Sequence, residues 1–456
     1  MKKVIIALVC LLLVGVGAYW FLNRDNDKAR DVVPKTATAV AVIEPGELCE
    51  NLGLKLEDVL KLASAFGDVE GTIDFSKPVY AFTTESGMTG VSLNVADADK
   101  LLKLIENVGF ASEEQQGFKW VANDNTIGCV GKDKMLVFSP VSVTQQDALR
   151  TEMVKLMEQS RQDVPALEKA QEQKGVVQVS APLASLPKQY AASLPGDVDI
   201  SKGFFNCALR IDKKAIAYSA KLDGVENLNI PLNEIKGNLI GLEPEDPLAW
   251  ICVNMKGEEL LPYLREIPQL RSVLLGLNLG VDADMMIKAI DGDVSLAVPE
   301  AELTPNFLLT ATLKNTDFLK NAADWDVERR SDTDFVINAE DNKVYFGVRD
   351  DKLYIASSEA LANKACKKAD AEDYQEAAKG KFLSVSLDAE KIVGVVSKEF
   401  SSTALVLNIP QVRDVVDALE RVSLTADTRQ SVELSVETDK PIKDIVSKLW
   451  TLLTGK

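Results

Sequence analysis

The sequence predicts an α+β protein built from antiparallel sheets and hairpins, duplicated internally and preceded by one N-terminal transmembrane helix. Three observations lead to this prediction. Apolar residues alternate in short runs between turn sequences, stretches with helical spacing separate these runs, and the same order of elements returns about 205 to 218 residues later. Runs of strands with helices between hairpins favour this class over a parallel βαβ array. The 456 residues suffice for two or three domains.

The N-terminus has the features of an export segment. Val4–Leu22 is an uncharged run of 19 residues behind a short basic start, and a helix of this length spans about 30 Å, the thickness of the bilayer hydrocarbon. Tyr19 and Trp20 are residue types that favour the membrane–water interface. We therefore expect an uncleaved single-pass anchor in the inner membrane, which contacts the lipid bilayer through Val4–Leu22 and leaves the C-terminal bulk in the periplasm. The alternative is a signal peptide cleaved after Ala18, which would release a secreted or periplasmic protein.

Three segments follow from this interpretation: 1–35 as signal anchor and polar spacer, 36–240 as the first α+β repeat, and 241–456 as the second. The strongest match between the repeats aligns Gly128–Ser139 with Phe346–Ser357 at a constant offset of 218 residues. Aspartate, lysine and serine recur at the same steps of this match. A shared order of six elements is hard to obtain by chance, and the drifting offset indicates loop insertions.

Each element of the first repeat is predicted from the spacing of its apolar residues, with a period of two for strands and about 3.6 for helices. The repeat begins with a strand, a helix, a hairpin, a helix and a three-stranded meander: Thr38–Ile43, Leu52–Ala63, Lys77–Thr83 with Thr89–Val95, Asp97–Val108, and Phe118–Val121, Thr126–Val130 and Met135–Phe138. It continues with a polar helix of mixed charge over Gln145–Lys174, a strand over Val176–Ser180 and a hairpin around Asp212–Lys214. The second repeat is expected to follow the same order, before a final helix over Ile442–Leu453.

The composition excludes several classes of chemistry. The chain has no histidine, which removes imidazole-based nucleophile systems and His-ligated zinc or iron. A net charge of -18 argues against nucleic acid as a partner, because phosphates need clustered positive charge. The glycine-rich stretches lack the spacing of nucleotide-binding loops, so no cofactor is expected. Widely spaced cysteines beyond the N-terminal segment predict buried free thiols; these are Cys49, Cys129, Cys207, Cys252 and Cys366.

One motif resembles a nucleophile site. Ser185 and Lys188 have the S-x-x-K spacing of penicillin-binding enzymes. Pro187 lies between them, however, and no K-T-G element follows. We therefore expect Ser185 to cap the start of a helix.

Three Asp-x-Asp pairs could bind Ca²⁺, but none continues into an EF-hand loop. They are Asp97 with Asp99, Asp282 with Asp284, and Asp291 with Asp293. We expect the first pair to cap a helix and the last to form a turn. The scattered Trp120, Trp250, Trp325 and Trp450 indicate packing rather than a sugar platform. No catalytic, cofactor-binding or metal-binding residue is therefore predicted.

Three patterns resemble a family of Bacteroidetes envelope proteins known only as a domain of unknown function. They are the strand around Pro34–Val42, the strand Lys77–Thr83, and the Asp-Lys turn that each half carries at Asp133 and at Asp351. The resemblance implies a location in the cell envelope and supplies no catalytic residues. Members of that family commonly look like lipoproteins, whereas Cys10 lacks the flanking residues of a lipoprotein signal.

The leading expectation is a non-enzymatic, membrane-anchored periplasmic protein that binds or scaffolds another envelope protein or periplasmic partner. The first alternative is a carboxylate-dependent envelope enzyme acting on glycans, which would need two carboxylates about 5 to 9 Å apart in one pocket. The second is a small-ligand carrier, which would need a large apolar pocket. The oligomeric state is left open.

Overall fold

A computed structural model of the chain describes residues 27–55, 71–107, 109–185, 199–225, 230–242, 246–300, 306–339, 342–399 and 410–454. These residues form a mixed fold of helices and strands, and the strands paired among them run antiparallel. The predicted combination of helices with antiparallel sheets is therefore confirmed. The chain divides into two compact units, Met1–Asn227 with Lys440–Lys456, and Leu228–Asp439. The predicted boundary at residues 240 and 241 concerns sequence repeats and stays a prediction.

The first unit contains an antiparallel sheet with helices packed on it. Its described strands are β1 Ala39–Ile43, β2 Val79–Thr83, β3 Thr89–Asn94, β4 Ala111–Gln115, β5 Phe118–Asn123, β6 Thr126–Val130, β7 Lys134–Ser139, β8 Val177–Pro182, β9 Phe204–Ile211 and β10 Ala215–Asp223. Neighbouring strands follow the order β4-β5-β6-β7-β3-β2-β1-β8-β9-β10. The described helices before the second unit are α1 Lys28–Asp31, α2 Pro45–Leu52, α3 Ala98–Asn107, α4 Val143–Glu158 and α5 Pro165–Gln171.

The second unit also contains an antiparallel sheet. Its described strands are β11 Leu232–Asn233, β12 Ala249–Lys256, β13 Ile290–Val298, β14 Leu308–Leu313, β15 Glu328–Arg329, β16 Asp334–Ala339, β17 Asn342–Arg349, β18 Lys352–Ala356, β19 Leu383–Asp388, β20 Leu419–Thr428 and β21 Ser431–Thr438. Its described helices are α6 Gly257–Glu266, α7 Pro268–Gly280, α8 Ala283–Ala289, α9 Glu359–Lys364, α10 Asp373–Glu376, α11 Ala389–Glu399 and α12 Pro410–Val416, and a 3₁₀ helix covers Asp317–Asp324. The helix α13, Ile442–Thr454, returns to the first unit.

Strand order within the second unit is β15-β16-β17-β18-β14-β13-β12-β19-β20-β21. Each of these strands therefore has the same place in its sheet as a strand of the first unit. The register agrees as well: Leu93 faces Met135 in the pair β3–β7, and Ala311 faces Leu353 in the pair β14–β18, 218 residues later in both strands.

Helix α3 shows how the sequence pattern builds the core of the first unit. Leu101, Leu102 and Ile105 are buried on one side of the helix, at the i, i+1, i+4 spacing of a helical face. The carboxylate of Asp97 accepts hydrogen bonds from the backbone N–H groups of Asp99 and Lys100, at 3.1 and 3.0 Å. Asp97 therefore caps the helix, as predicted.

The single helix predicted over Gln145–Lys174 is wrong: two helices, α4 and α5, occupy this stretch. Pro165 is the first residue of α5, and a proline disfavours helical geometry in the residue before it. Helix α4 also buries Leu149 and Met153 against the sheet. The charged side chains of this stretch therefore lie on only one side of a packed helix.

The N-terminal spacer predicted up to residue 35 differs from the structure from Asp27 onward. Helix α1 lies on β3, and the side chains of Ala29, Val32 and Val33 are fully buried in the core. Tyr80 donates a hydrogen bond to Asp27 at 2.5 Å, and so does Asn94 at 2.8 Å. The many polar and charged residues of this stretch obscured three buried apolar side chains in the sequence. Among the described residues, the folded unit already includes Asp27.

Burial raises the pKa of Asp27 above its usual value of 3.8, although hydrogen bonds from Tyr80 and Asn94 oppose the shift. The Asp27 carboxyl group therefore keeps its proton to a higher pH in the folded state than in the unfolded state. We expect a contribution to stability that is complete below pH 3.8 and is lost as pH rises through the raised pKa. Urea unfolding at a series of pH values will show this loss, and Asp27→Asn will remove it. Asp147→Asn, at an exposed carboxylate, is the control; an unchanged pH profile in Asp27→Asn would contradict the assignment.

No helix among the described residues combines the length and apolarity needed to cross a membrane. The predicted anchor Val4–Leu22 lies outside the described residues. The predicted final helix is confirmed as α13, whose Ile442 packs against Val176 and Ile211 of the first unit.

Candidate functional site

Ser185 is the last described residue before a gap in the structure. It ends a short 3₁₀ turn, Leu183–Ser185, and its hydroxyl donates hydrogen bonds to the carbonyls of Thr38 and Pro182, at 2.8 and 2.7 Å. The hydroxyl therefore ties the end of β8 to the chain that enters β1. The residues that a helix capped by Ser185 would occupy lie outside the part of the chain that the structure describes, so the predicted N-cap stays a prediction. Lys188 of the same motif lies outside the described residues.

The structure separates the three Asp-x-Asp pairs into different structural roles. Asp282 caps α8 by accepting a hydrogen bond from the backbone N–H of Met285, at 3.1 Å. The turn predicted at Asp291–Asp293 is wrong, because both residues lie in β13 beside Gly292, where the register with β14 shifts. A glycine between strand residues is typical of such an irregularity.

Asp293 is a fully buried carboxylate that holds the chain after β11 to the sheet. Its two oxygens accept hydrogen bonds from the backbone N–H groups of Lys236 and Asn238, at 2.9 and 2.7 Å, and from the side-chain amide of Asn254, at 2.7 Å. These partners belong to the chain itself, so the arrangement is structural.

We expect Asp293→Ala to lower the free energy of unfolding by about 3 kcal/mol, because three buried donors lose their acceptor. Asp291→Ala, at an exposed position two residues earlier in the same strand, should change it by less than about 0.5 kcal/mol. Urea unfolding of both variants measures the difference. Equal midpoints would show that the carboxylate of Asp293 does not hold this segment.

The cysteines of the described residues are free thiols, and Cys49, Cys129, Cys207 and Cys252 are buried. Burial raises the pKa values of the Cys49 and Cys129 thiols to about 12, so both are protonated at neutral pH. Among the described residues, no group of three or more Cys, Asp and Glu side chains is arranged to hold a metal ion.

The predicted packing role of the tryptophans is confirmed for Trp120 and Trp250, which are buried in the two units. Trp325 lies among the rings of Phe318, Phe335 and Phe346, with centroid distances of 5.2 to 6.4 Å. None of these rings therefore forms an exposed sugar platform.

The second unit holds a polar cluster that no sequence motif indicated. The Arg349 guanidinium lies 3.0 Å from Asp334 and 4.4 Å from the centre of the Tyr354 ring, and it also donates to the carbonyl of Ala362. Burial, together with the hydrogen bond to Asp334, raises the pKa of Tyr354. Burial opposes ionisation of Asp334, but hydrogen bonds from Tyr354, Ser331 and Arg349 outweigh it and lower the pKa of this carboxyl group. The cluster fixes α9 to the sheet and leaves no activated nucleophile.

The best candidate for a binding site is the helical segment α6–α8, which follows β12. Gly257 starts α6 where a Cβ atom would lie 1.6 Å from the carbonyl oxygen of Ile287, so only glycine permits α6 and α8 to approach this closely. Leu261, Met286 and Ala289 are buried beneath the helices. The segment is therefore packed on the unit along one side.

The outer surface of these helices exposes large apolar side chains. Six of the eleven exposed large hydrophobic residues in the described part of the chain lie on or between α6, α7 and α8: Tyr263, Ile267, Leu270, Leu275, Leu277 and Met285. Leu275 is the most exposed of the eleven, at 64%. Apolar side chains scattered singly are ordinary, but a concentration of this kind marks an interaction surface. We call this surface the α6–α8 face.

A cavity of about 420 Å³ opens on the α6–α8 face. It is lined by Arg265, Arg271, Leu274, Leu275, Asn278 and Asp284. Asp284 forms an ion pair with Arg265 and accepts a hydrogen bond from the Asn278 amide at 3.2 Å. The site combines one neutralised ion pair, one further arginine and two leucines, which suits binding and offers no acid–base pair.

The sequence carried one signal of this face. Leu270, Leu274 and Leu277 follow the i, i+4, i+7 spacing of one helical side, but Leu275 lies about 140° around the helix from Leu270, at 100° per residue. A helix with leucines on two sides cannot bury both against one core. Of these four leucines only Leu274 is buried in the structure. Which leucines stay exposed depends on tertiary packing, so the helical spacing alone did not predict the face.

The sheets and the α6–α8 face define an α+β protein of antiparallel sheets with an exposed apolar helical surface. The chain belongs to the family described as Domain of unknown function (DUF4836), whose profile matches residues 208–443. The match includes the whole of α6–α8.

Comparison with curated proteins gives no match. Among solved structures, the chain is similar to crystal forms I, III and IV of the protein TP0453, at 16% sequence identity and TM-scores of 0.31, 0.30 and 0.29. These matches cover 42 to 46% of this chain and 78 to 82% of TP0453. A likeness this distant carries no argument about fold or function.

Proposed function

We propose that the chain is a non-enzymatic binding or scaffolding protein of the cell envelope, which contacts its partner through the α6–α8 face. The observation that carries the proposal is the concentration of exposed leucine, isoleucine, tyrosine and methionine side chains on three mutually packed helices. Leaving these side chains in water is unfavourable, at about 1.5–3 kcal/mol for a fully exposed leucine relative to a buried one. A partner that covers the face would recover part of this free energy.

Of the two alternative functions, the structure offers less support for a glycan-cleaving enzyme than for a small-ligand carrier. A glycan-cleaving enzyme would need two carboxylates in one pocket, and the cavity on the α6–α8 face is lined by one, Asp284, which is paired with Arg265. A small-ligand carrier is favoured by the cavity volume, since ligand pockets measure about 300–1,000 Å³.

We also propose that Val4–Leu22 anchors the protein in the inner membrane, with the two units in the periplasm. The length and apolarity of this run support the anchor, and the resemblance to Bacteroidetes envelope proteins supports the compartment. Only residues 23–26 separate the run from Asp27, and four extended residues reach at most about 14 Å. An anchored first unit would therefore lie close to the bilayer.

Membrane fractionation tests the anchor. Full-length protein should resist carbonate extraction, whereas a protein that begins at Arg24 should be soluble. If the full-length gene product is instead recovered as a soluble protein with Tyr19 at its N-terminus, the signal has been cleaved.

An internal duplication is our proposal for the origin of the two halves. The equal strand order of the two sheets supports it, as does the 218-residue offset shared by the registers of β3–β7 and β14–β18. Asp133 and Asp351 precede the matching strands β7 and β18 at the same offset. Period-two strands keep such a register because a slip of one residue turns every apolar side chain to the other face.

Site-specific photocrosslinking tests the binding role. Full-length protein with benzoylphenylalanine in place of Leu275 should form a discrete adduct with a partner in native membranes. The same probe in place of Val143, which is 62% exposed on the first unit, is the matched control. A Leu275 probe that gives no adduct, or the same adducts as the Val143 probe, would contradict the proposed face.

A further inference from the structure

We propose that the cavity of the α6–α8 face binds the acidic head group of a single-chain amphiphile. Arg271 supplies the opposite charge, and the leucines of α7 contact the acyl chain. This inference rests on the proposed binding role of the face and names the chemistry of its ligand.

The charge of the cavity selects an anion. Arg265 is neutralised by its ion pair with Asp284, which Asn278 also holds. Arg271 has no ion pair among the described residues, and Pro268–Gly280 contains no acidic residue. The lining of the cavity therefore carries one uncompensated positive charge. A carboxylate or phosphate head group can accept the paired hydrogen bonds that a guanidinium offers.

The apolar lining requires more than an ion. Leu274 and Leu275 line the cavity together with Arg271, and Leu270 and Leu277 are about 40% exposed on the same helix. An inorganic anion would leave the exposed Leu270, Leu275 and Leu277 in water, whereas a neutral lipid would leave Arg271 without a counter-charge. A ligand with one acidic head and one acyl chain satisfies both groups, and a volume of about 420 Å³ lies within the range of small-molecule sites.

A photoreactive fatty acid tests the inference on the full-length protein in phosphatidylcholine nanodiscs. The probe is a C16 acid with a diazirine in its chain, and its methyl ester is the neutral control. Mass spectrometry locates the labelled peptides. We expect saturable labelling within residues 257–289, at least about fivefold stronger for the acid than for the ester, since a charge-assisted hydrogen bond at a partly exposed site contributes about 1 kcal/mol or more.

Variants of the arginine test its role. Arg271→Gln should reduce labelling by the acid at least about fivefold, with little change for the ester, and Arg271→Lys should restore most of it. Arg413→Gln, at an arginine of the same unit that is 71% exposed, should label like the natural protein. Competition by unlabelled palmitate or by lysophosphatidate distinguishes a carboxylate head group from a phosphate.

Equal labelling by acid and ester, or undiminished labelling of Arg271→Gln, would overturn the inference. These results are separable from the crosslinking test. A protein adduct at the Leu275 probe, together with equal labelling by the acid and the ester, would support the binding role and contradict the amphiphile as ligand. Arg271-dependent labelling without a protein adduct would support the amphiphile as ligand and contradict the scaffolding role.

Discussion

A protein that begins at Thr36 is expected to be at least about 4 kcal/mol less stable than one that begins at Arg24. The shorter chain lacks Ala29, Val32 and Val33, whose side chains are fully buried, and burying one valine contributes about 1.5 kcal/mol or more. It also lacks Asp27, so the hydroxyl of Tyr80 loses its acceptor. Urea unfolding of the two soluble proteins measures the difference.

Two variants of the longer protein separate packing from chain length. Val32→Ala and Val33→Ala should each cost about 1–2 kcal/mol through the cavity that they leave. Lys35→Ala, at an exposed residue of the same segment, should have no measurable effect. Equal unfolding midpoints for proteins beginning at Arg24 and at Thr36 would show that residues 27–35 are a spacer after all.

Gly257→Ala is expected to destabilise the second unit by about 3 kcal/mol and to separate α6 from α8. The new Cβ atom would lie 1.6 Å from the carbonyl oxygen and 2.6 Å from the carbonyl carbon of Ile287. These are backbone atoms, so relief requires the helices to move apart. Unfolding measurements and hydrogen exchange of α8 report the two effects.

Gly276→Ala is the matched control within the same three helices. A Cβ atom at Gly276 meets nothing within 4 Å, and alanine in a helix interior is favoured over glycine by about 0.5–1 kcal/mol. The control should therefore be neutral or slightly stabilising. Similar losses in Gly257→Ala and Gly276→Ala would contradict the close approach of α6 and α8.

Local periodicity predicted the elements whose burial follows directly from their sequence. Strands β2, β3, β6 and β7 and helix α3 lie where the alternating or helical spacing placed them, because one face of each meets a core. Strand β4 was missed since its five residues are all exposed and carry no alternation. Helix α1 was missed because the eight charged or polar residues of 24–35 outweighed three buried apolar ones in the composition of the segment.

The candidate site could not be predicted from the sequence, for a different reason. Asp293 and Asp284 belong to the same type of Asp-x-Asp pair, yet one is buried beneath three donors and the other neutralises Arg265 in an open cavity. Their roles depend on partners 6 to 57 residues away. The exposure of Leu275 likewise depends on which side of α7 packs on the unit, which helical spacing alone does not decide.

Cysteine accessibility in native membranes tests most directly whether the α6–α8 face is covered in the cell. Leu275→Cys and Val143→Cys replace residues that are 64% and 62% exposed in the protein alone, and the unsubstituted chain gives the background. We expect a maleimide to react slowly with Leu275→Cys in native membranes and rapidly after purification, and to react rapidly with Val143→Cys in both. Rapid reaction of Leu275→Cys in native membranes would show that nothing covers the face and would contradict the proposed function.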